Sequence, residues 1–272
     1  MRDVLAAWAL NIDAVFSFVG GLILFFAPDK RRSTDGIHWH LLRCVGGQMI
    51  ASAFIFRRLG GRAPETQTTC FLLRVTSAIL AIFLFWHVES TNPGLVDPMV
   101  TKALNWISYL SIVSSFMFLI WSGWPLGKDL YNSPVQNVLY QLDSLASVTI
   151  GMAWISNPKW LLHRQVLIEL DASHELCGRI MGVMFVCSQV LAGHALYWRA
   201  RADRSLAAEA RAICCIFILT AQIWSQVAYG AHWSGGHWIG ISLFSTWTLI
   251  SILYRVAICF DYADPTKTTK GE

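Results

Sequence analysis

The sequence predicts an all-α, polytopic membrane protein with eight transmembrane helices arranged as two parallel four-helix repeats. Three observations carry that expectation. Of the 272 residues, 55% are hydrophobic and only 14% charged, where a soluble domain carries about a quarter charged residues. Eight apolar stretches, at 5–27, 38–57, 70–89, 103–123, 138–157, 174–198, 209–230 and 237–259, are each near the roughly 20 residues that cross a bilayer core. Finally, a polar pattern occurs twice inside these stretches. Asp13, Ser17, Gly21 and Pro28 recur at identical spacing as Asp143, Ser147, Gly151 and Pro158, and Asp35, His38, Arg43 and Gly46 recur as Asp171, His174, Arg179 and Gly182.

Each predicted element has a local reason. The first span contains Asp13 and runs to the Pro28-Asp29-Lys30 turn without a small-residue cleavage site, so it reads as a retained anchor rather than a signal peptide. The second opens after Asp35, an N-cap residue type near the positive end of a helix dipole. Spans three and four complete a first repeat over residues 1–123, and 124–137 forms a linker. The second repeat occupies 138–260 and opens its own second span after Asp171, while 261–272 is a polar tail whose last residues, from Pro265, have a disordered composition. Short loops leave no room for a soluble catalytic or nucleic-acid-binding domain, so lipid is the expected partner, with a membrane protein or a second copy of the chain as a further one, and nucleic acid is excluded.

Loop charge sets the expected orientation. Arg2, Arg57, Arg58, Arg62, Lys128, Arg199, Arg201, Arg204, Lys267 and Lys270 fall on one side, against Lys30, Arg31, Arg32, Lys102, Lys159 and Arg164 on the other. The positive-inside rule places both termini in the cytoplasm. Trp39, Trp86, Trp160, Trp233 and Trp238 then mark the outer interface, and Trp8, Trp121, Trp124 and Trp198 the inner one. The seven cysteines lie in or at the ends of spans and read as buried thiols, with Cys259 near the inner end as a candidate for acylation.

The repeated residues are the candidate site. Spacing of four puts Asp13, Ser17 and Gly21 on one helix face, and the Ser-xxx-Gly step lets another helix approach closely. A carboxylate inside a span needs a partner. Asp13 lies ~12 Å from the inner end of its span and Arg74 ~6 Å from the inner end of the third, at 1.5 Å per residue, so an arginine side chain spans the difference. Asp13–Arg74 and Asp143–Arg211 are therefore the expected pairs at a polar centre, serving either helix packing or a cation or proton site. His38, Arg43, His174 and Arg179 form an expected outer vestibule. Histidines 38, 40, 87, 163, 174, 232 and 237 all fall toward that side, yet no spacing among them matches a metal motif, and His38 and His40 splay apart on a helix. No metal ligands and no cofactor are assigned from sequence. There is no Walker loop, dinucleotide fingerprint or nucleophile elbow.

A first span ending at Pro28, followed by Arg43 and Gly46 in the second, with Pro158, Arg179 and Gly182 in the other copy, resembles small DoxX-like four-helix membrane proteins. The resemblance covers the first half of each repeat and implies a four-helix bundle, with no activity attached. Three functions are compatible with these residues: binding or conduction of a small solute, ion or lipid at the repeat interface; a structural or assembly role; or a membrane metalloenzyme built on the outer histidines.

Overall fold

The structure is a computed structural model, and it describes residues 2–28, 35–128 and 134–263. The predicted Pro28-Asp29-Lys30 turn, the basic residues Lys30, Arg31 and Arg32, part of the linker and the polar tail from 264 lie wholly or partly outside the described residues, as does the Cys259 side chain.

Helices account for the described architecture: α1 (Arg2–Phe26), α2 (Gly36–Leu59), α3 (Pro64–Thr91), α4 (Pro98–Ser122), α5 (Pro134–Ser156), the short α6 (Pro158–His163), α7 (Ala172–Ala195), α8 (Arg201–Ala228) and α9 (His237–Ala263). Among the described residues no β-strand forms, only one antiparallel bridge between Val166 and Trp233. Helix starts follow from capping chemistry. Proline sits in the first turn of α3, α4 and α6, where its missing N–H costs nothing. Asp97 caps α4 by accepting from the Met99 and Val100 N–H groups at 2.7 and 3.3 Å. Gly123 ends α4 in the left-handed conformation (φ +76°).

Packing sorts the long helices into two shells. α2, α3, α7 and α8 form the centre, where α2 packs on α7 and α8, and α3 packs on α7; α2–α3 and α7–α8 contacts are sparse. The core of each half is therefore completed by helices of the other. α1, α4, α5 and α9 lie outside, against α2, α3, α7 and α8 respectively. These outer helices display apolar side chains outward: Trp8, Phe16 and Phe26 on α1, Trp106, Leu110 and Ile120 on α4, Leu142 and Leu145 on α5, and Ile239, Leu249 and Leu253 on α9. Such continuous apolar exposure would be untenable in water and is the surface that lipid requires. Seven described helices are long and apolar enough to cross a membrane: α1, α3, α4, α5, α7, α8 and α9. The protein is a multi-pass integral membrane protein.

The exception in polarity, α2, is also the most enclosed. It has 17 of its 24 residues buried, His38, His40, Arg43 and Gln48 among them. A helix surrounded by protein can carry polar groups that a lipid-facing one cannot.

Two departures from the predicted boundaries have clear causes. Residues expected as outer loop contain α6, after which Ser234 N–H donates to Gln165 C=O (2.7 Å) and Leu167 N–H to His232 C=O (2.8 Å), tying this segment to the α8–α9 connection. α8 starts at Arg201, earlier than its apolar stretch. Arg204, expected as a cytoplasmic loop charge, is 1% exposed because Leu196 C=O and Asn137 Oδ1 each accept from its guanidinium at 2.9 Å, and its own C=O accepts from Tyr140 Oη.

Glycine sets the closest helix approach, and it does so twice. A Cβ on Gly21 would meet Gly46 O at 2.8 Å, and one on Gly46 would meet Gly21 O at 2.7 Å; Gly151 and Gly182 show the same reciprocal contact at 2.7 Å each. α1 thus crosses α2 backbone to backbone, and α5 crosses α7 in the same way. Because the clash is with backbone, no side chain can move to relieve it. Gly46→Ala and Gly182→Ala should each lower stability by about 1–3 kcal/mol, whereas Gly61→Ala, where a Cβ meets nothing within 4 Å, should be near neutral. Thermal unfolding in detergent micelles reads this ranking, and equal effects at all three positions would contradict it.

Candidate functional site

The polar residues gather at two depths. In the interior, Arg74 Nε of α3 lies 2.6 Å from Asp13 Oδ2 of α1, and Arg211 Nε of α8 lies 2.6 Å from Asp143 Oδ1 of α5. The residues predicted as the polar centre therefore meet as two separate ion pairs.

The two pairs differ in their surroundings. Arg211 is buried, and its guanidinium also donates to Ser147 Oγ (2.6 Å) and Ser188 Oγ (3.2 Å) while lying 5.0 Å from the Trp247 ring centre. Arg74 has a longer 3.5 Å bond to Ser114 Oγ and the face of Phe71 at 5.9 Å. Asp13 is 27% exposed against 15% for Asp143. The second pair is thus the better desolvated and the more fully hydrogen-bonded.

The second pair opens on a cavity. A space of about 90 Å³ lies among α2, α3, α5, α7, α8 and α9, lined by Asp143 and Arg211 together with Gln48, Ser52, Trp247 and Tyr254. Most of its wall is aliphatic, from Ile55, Leu73, Leu191 and several alanines. Among the described residues Gln48 Nε2 is buried there without a hydrogen-bond partner, an orphan donor whose desolvation normally demands an acceptor. α5 and α9 do not pack closely on each other; they touch through Tyr140 and Tyr254, ring centres 5.9 Å apart. Ile250, 46% exposed, also lines the cavity, so the space reaches the lipid-facing surface between these two helices. Sequence reasoning missed this cavity. A faint signal existed, since Ser52 and Ser188 recur at the same offset as the Asp-His-Arg-Gly signature.

The outer end holds the second group. Asp35 caps α2 by accepting from the Ile37 and His38 N–H groups at 2.9 and 3.0 Å, and Asp171 caps α7 by accepting from Ser173 and His174 N–H at 2.9 and 3.0 Å. The caps converge on His174, whose Nε2 lies 3.0 Å from Asp35 Oδ2 and whose Nδ1 lies 2.8 Å from Asp171 Oδ1. Burial pushes the Asp35 carboxyl upward, yet the His38 N–H, the His174 ring and the Ile37 N–H together hold it below its ordinary value. Asp171 behaves alike: against burial, bonds from the Ser173 hydroxyl and the His174 N–H, with the His174 ring, draw it down to about 2.

The predicted vestibule is brought together only in part. His38 and His174 stand with ring centres 4.8 Å apart. Arg43 is instead buried against the rings of Trp224 and Tyr229, at 5.6 and 6.0 Å. Arg179 donates to Ile155 C=O at 2.6 Å and lines an open cleft with Lys159, His163, Arg164 and Glu175. Among the described residues the two arginines share no partner. His40 and His237, expected at the outer face, are buried, with Trp233 stacked on His237 at 3.6 Å.

Comparison with known families adds one result. A family model described as a domain of unknown function, DUF8292, matches residues 11–256. The chain belongs to the DUF8292 family. No curated protein and no solved structure matches it. The DUF8292 match runs from the first long helix into the last, so both ion pairs, the cavity and the outer cluster lie inside the family's region.

Burial ranks the two ion pairs of this DUF8292 chain. Asp143→Asn leaves Arg211 charged and enclosed and should cost about 3–5 kcal/mol, with much of the loss recovered in Asp143→Asn/Arg211→Gln. Asp13→Asn should cost less, because that pair is less enclosed and makes fewer hydrogen bonds. Thermal unfolding of the four proteins in detergent measures the order; an Asp13→Asn loss as large as that of Asp143→Asn would contradict it.

Proposed function

We propose that the protein binds a small lipophilic or amphiphilic molecule inside the membrane, at the cavity beside Asp143 and Arg211. The orphan Gln48 Nε2 in a mostly aliphatic space carries this reading. A ligand with an acceptor oxygen, such as a carbonyl or carboxylate, would satisfy that donor and face Arg211, while its apolar part lay against Leu191, Ile55 and Trp247. Entry between α5 and α9 suits a molecule that partitions from the bilayer. The volume limits what is enclosed: ~150 Å³ accommodates benzene, so about 90 Å³ holds a head group while a longer tail would pass between the helices. Free ion conduction is less well supported, because both interior carboxylates are paired. A purely structural role explains the ion pairs but leaves the Gln48 donor and the cavity without a purpose.

The architecture proposed with this function has eight spans. α2 supplies the eighth, since 24 residues reach ~36 Å. Residues 1–123 and 138–260 are read as two copies of one four-helix unit, each resembling a DoxX-like protein. The matched glycine crossings, the matched ion pairs and the matched Asp caps support that reading. Both termini then share a side, cytoplasmic by the excess of basic residues. Tags at the two ends should be protected equally from externally added protease in sealed cells, and opposite accessibility would overturn the even number of spans.

Native mass spectrometry of the detergent-purified protein tests the binding. A co-purified small molecule is expected on the wild type and should be absent from Ala207→Phe, which fills the cavity wall, and depleted in Gln48→Leu. If the wild type carries nothing and its unfolding temperature does not respond to fatty acids or quinones, the binding function fails.

A further inference from the structure

The geometry points to a divalent transition-metal site at the outer end of the bundle, formed by His38, His174 and Asp171, with Asp35 as the carboxylate that orients His174. One ligand atom from each of the first three residues lies within 4.8 Å of the others. They come from the N-terminal turn of α2, the N-terminal turn of α7 and the cap of α7, so the contact between these helix ends assembles the site.

The placement of His174 supplies the first argument. Its Nε2 faces Asp35 Oδ2 at 3.0 Å and Oδ1 at 3.2 Å. The opposite Nδ1 lies 2.8 Å from Asp171 Oδ1 and 3.3 Å from the Asp171 backbone nitrogen. Nδ1 and Oδ1 are thus two ligand atoms side by side, and on a tetrahedral ion with ligands at ~2.05 Å they would stand ~3.3 Å apart.

His38 is the independent observation. It is 8% exposed, and among the described residues its ring nitrogens have no hydrogen-bond partner although its ring centre is 4.8 Å from that of His174. Its imidazole stands beside another imidazole and a carboxylate without a hydrogen bond to either, a position that suits a third ligand. Two imidazoles and a carboxylate suit zinc or a similar borderline divalent ion and leave a coordination position for water. Asp35 completes the familiar support in which a ligating histidine donates its other N–H to a carboxylate, fixing the tautomer. The metal would also staple the N-termini of α2 and α7, joining the two halves at their outer end.

This site is independent of the interior cavity, and ZnCl2 binding to the purified full-length protein tests it. After chelator treatment, the wild type should take up one equivalent of zinc by metal analysis and titration calorimetry, and its unfolding temperature should rise with added ZnCl2. His38→Gln removes a ligand but no hydrogen bond. It should therefore match the wild-type unfolding temperature in EDTA while losing both the equivalent of zinc and the zinc-dependent rise. Asp35→Asn keeps all three ligands and should weaken binding by about 10- to 100-fold. If His38→Gln failed to fold, CoCl2 added to the wild type would still produce visible absorption that saturates at one equivalent and disappears on adding ZnCl2. Absence of stoichiometric zinc from the wild type, absence of the cobalt signal, or full retention of zinc by a folded His38→Gln overturns the site.

Discussion

Every polar group carried on a membrane-spanning helix must find its partner inside the protein, because lipid offers none. Much of this structure follows from that constraint. α1, α4, α5 and α9 turn apolar faces outward, and the side chains that lipid would reject converge on α2, α3, α7 and α8. Asp13 and Asp143 sit on outer helices, yet each reaches inward to an arginine on a central one. The ion pairs thereby fix the rotation of α1 and α5, since turning either helix would present a carboxylate to lipid.

Small residues make these reaches short. Where Gly21 crosses Gly46 and Gly151 crosses Gly182, the backbones come too close to admit a Cβ. Without an inter-helical hydrophobic drive in lipid, such close packing holds α1 on α2 and α5 on α7, while the ion pairs tie α1 to α3 and α5 to α8. The same device serves both halves, but its consequences differ. The pair Asp143–Arg211 borders a cavity, while Asp13–Arg74 is not among the residues that line it. Likewise Arg43 is drawn under aromatic rings while its counterpart Arg179 stands in an open cleft. The recurring motifs thus sit in unlike surroundings.

Interlocking gives these sites their location. Because α2 packs on α8 and α3 on α7, the cavity takes its walls from both halves, and the outer His-Asp cluster takes its residues from two helix ends that are distant in the chain. Neither site would exist in one half alone. α2 supplies a residue to each, His38 outside and Gln48 within.

The sequence by itself determined the all-helical class, most span positions and the Asp–Arg partners, because each depends on local periodicity or on depth along a helix, both counted directly in residues. It also marked Asp35 and Asp171 as caps, which is a matter of the next three residues. Only the tertiary structure decided what faces what around the bundle. It buried Arg204 by bringing Asn137 and Leu196 C=O to it, separated Arg43 from Arg179, left Gln48 facing a cavity, and set His38 beside His174 and Asp171. These depend on the azimuth and mutual contact of helices far apart in the chain, and interactions in a bundle fall off within a few ångströms. Residue spacing along one helix carries no information about that lateral order.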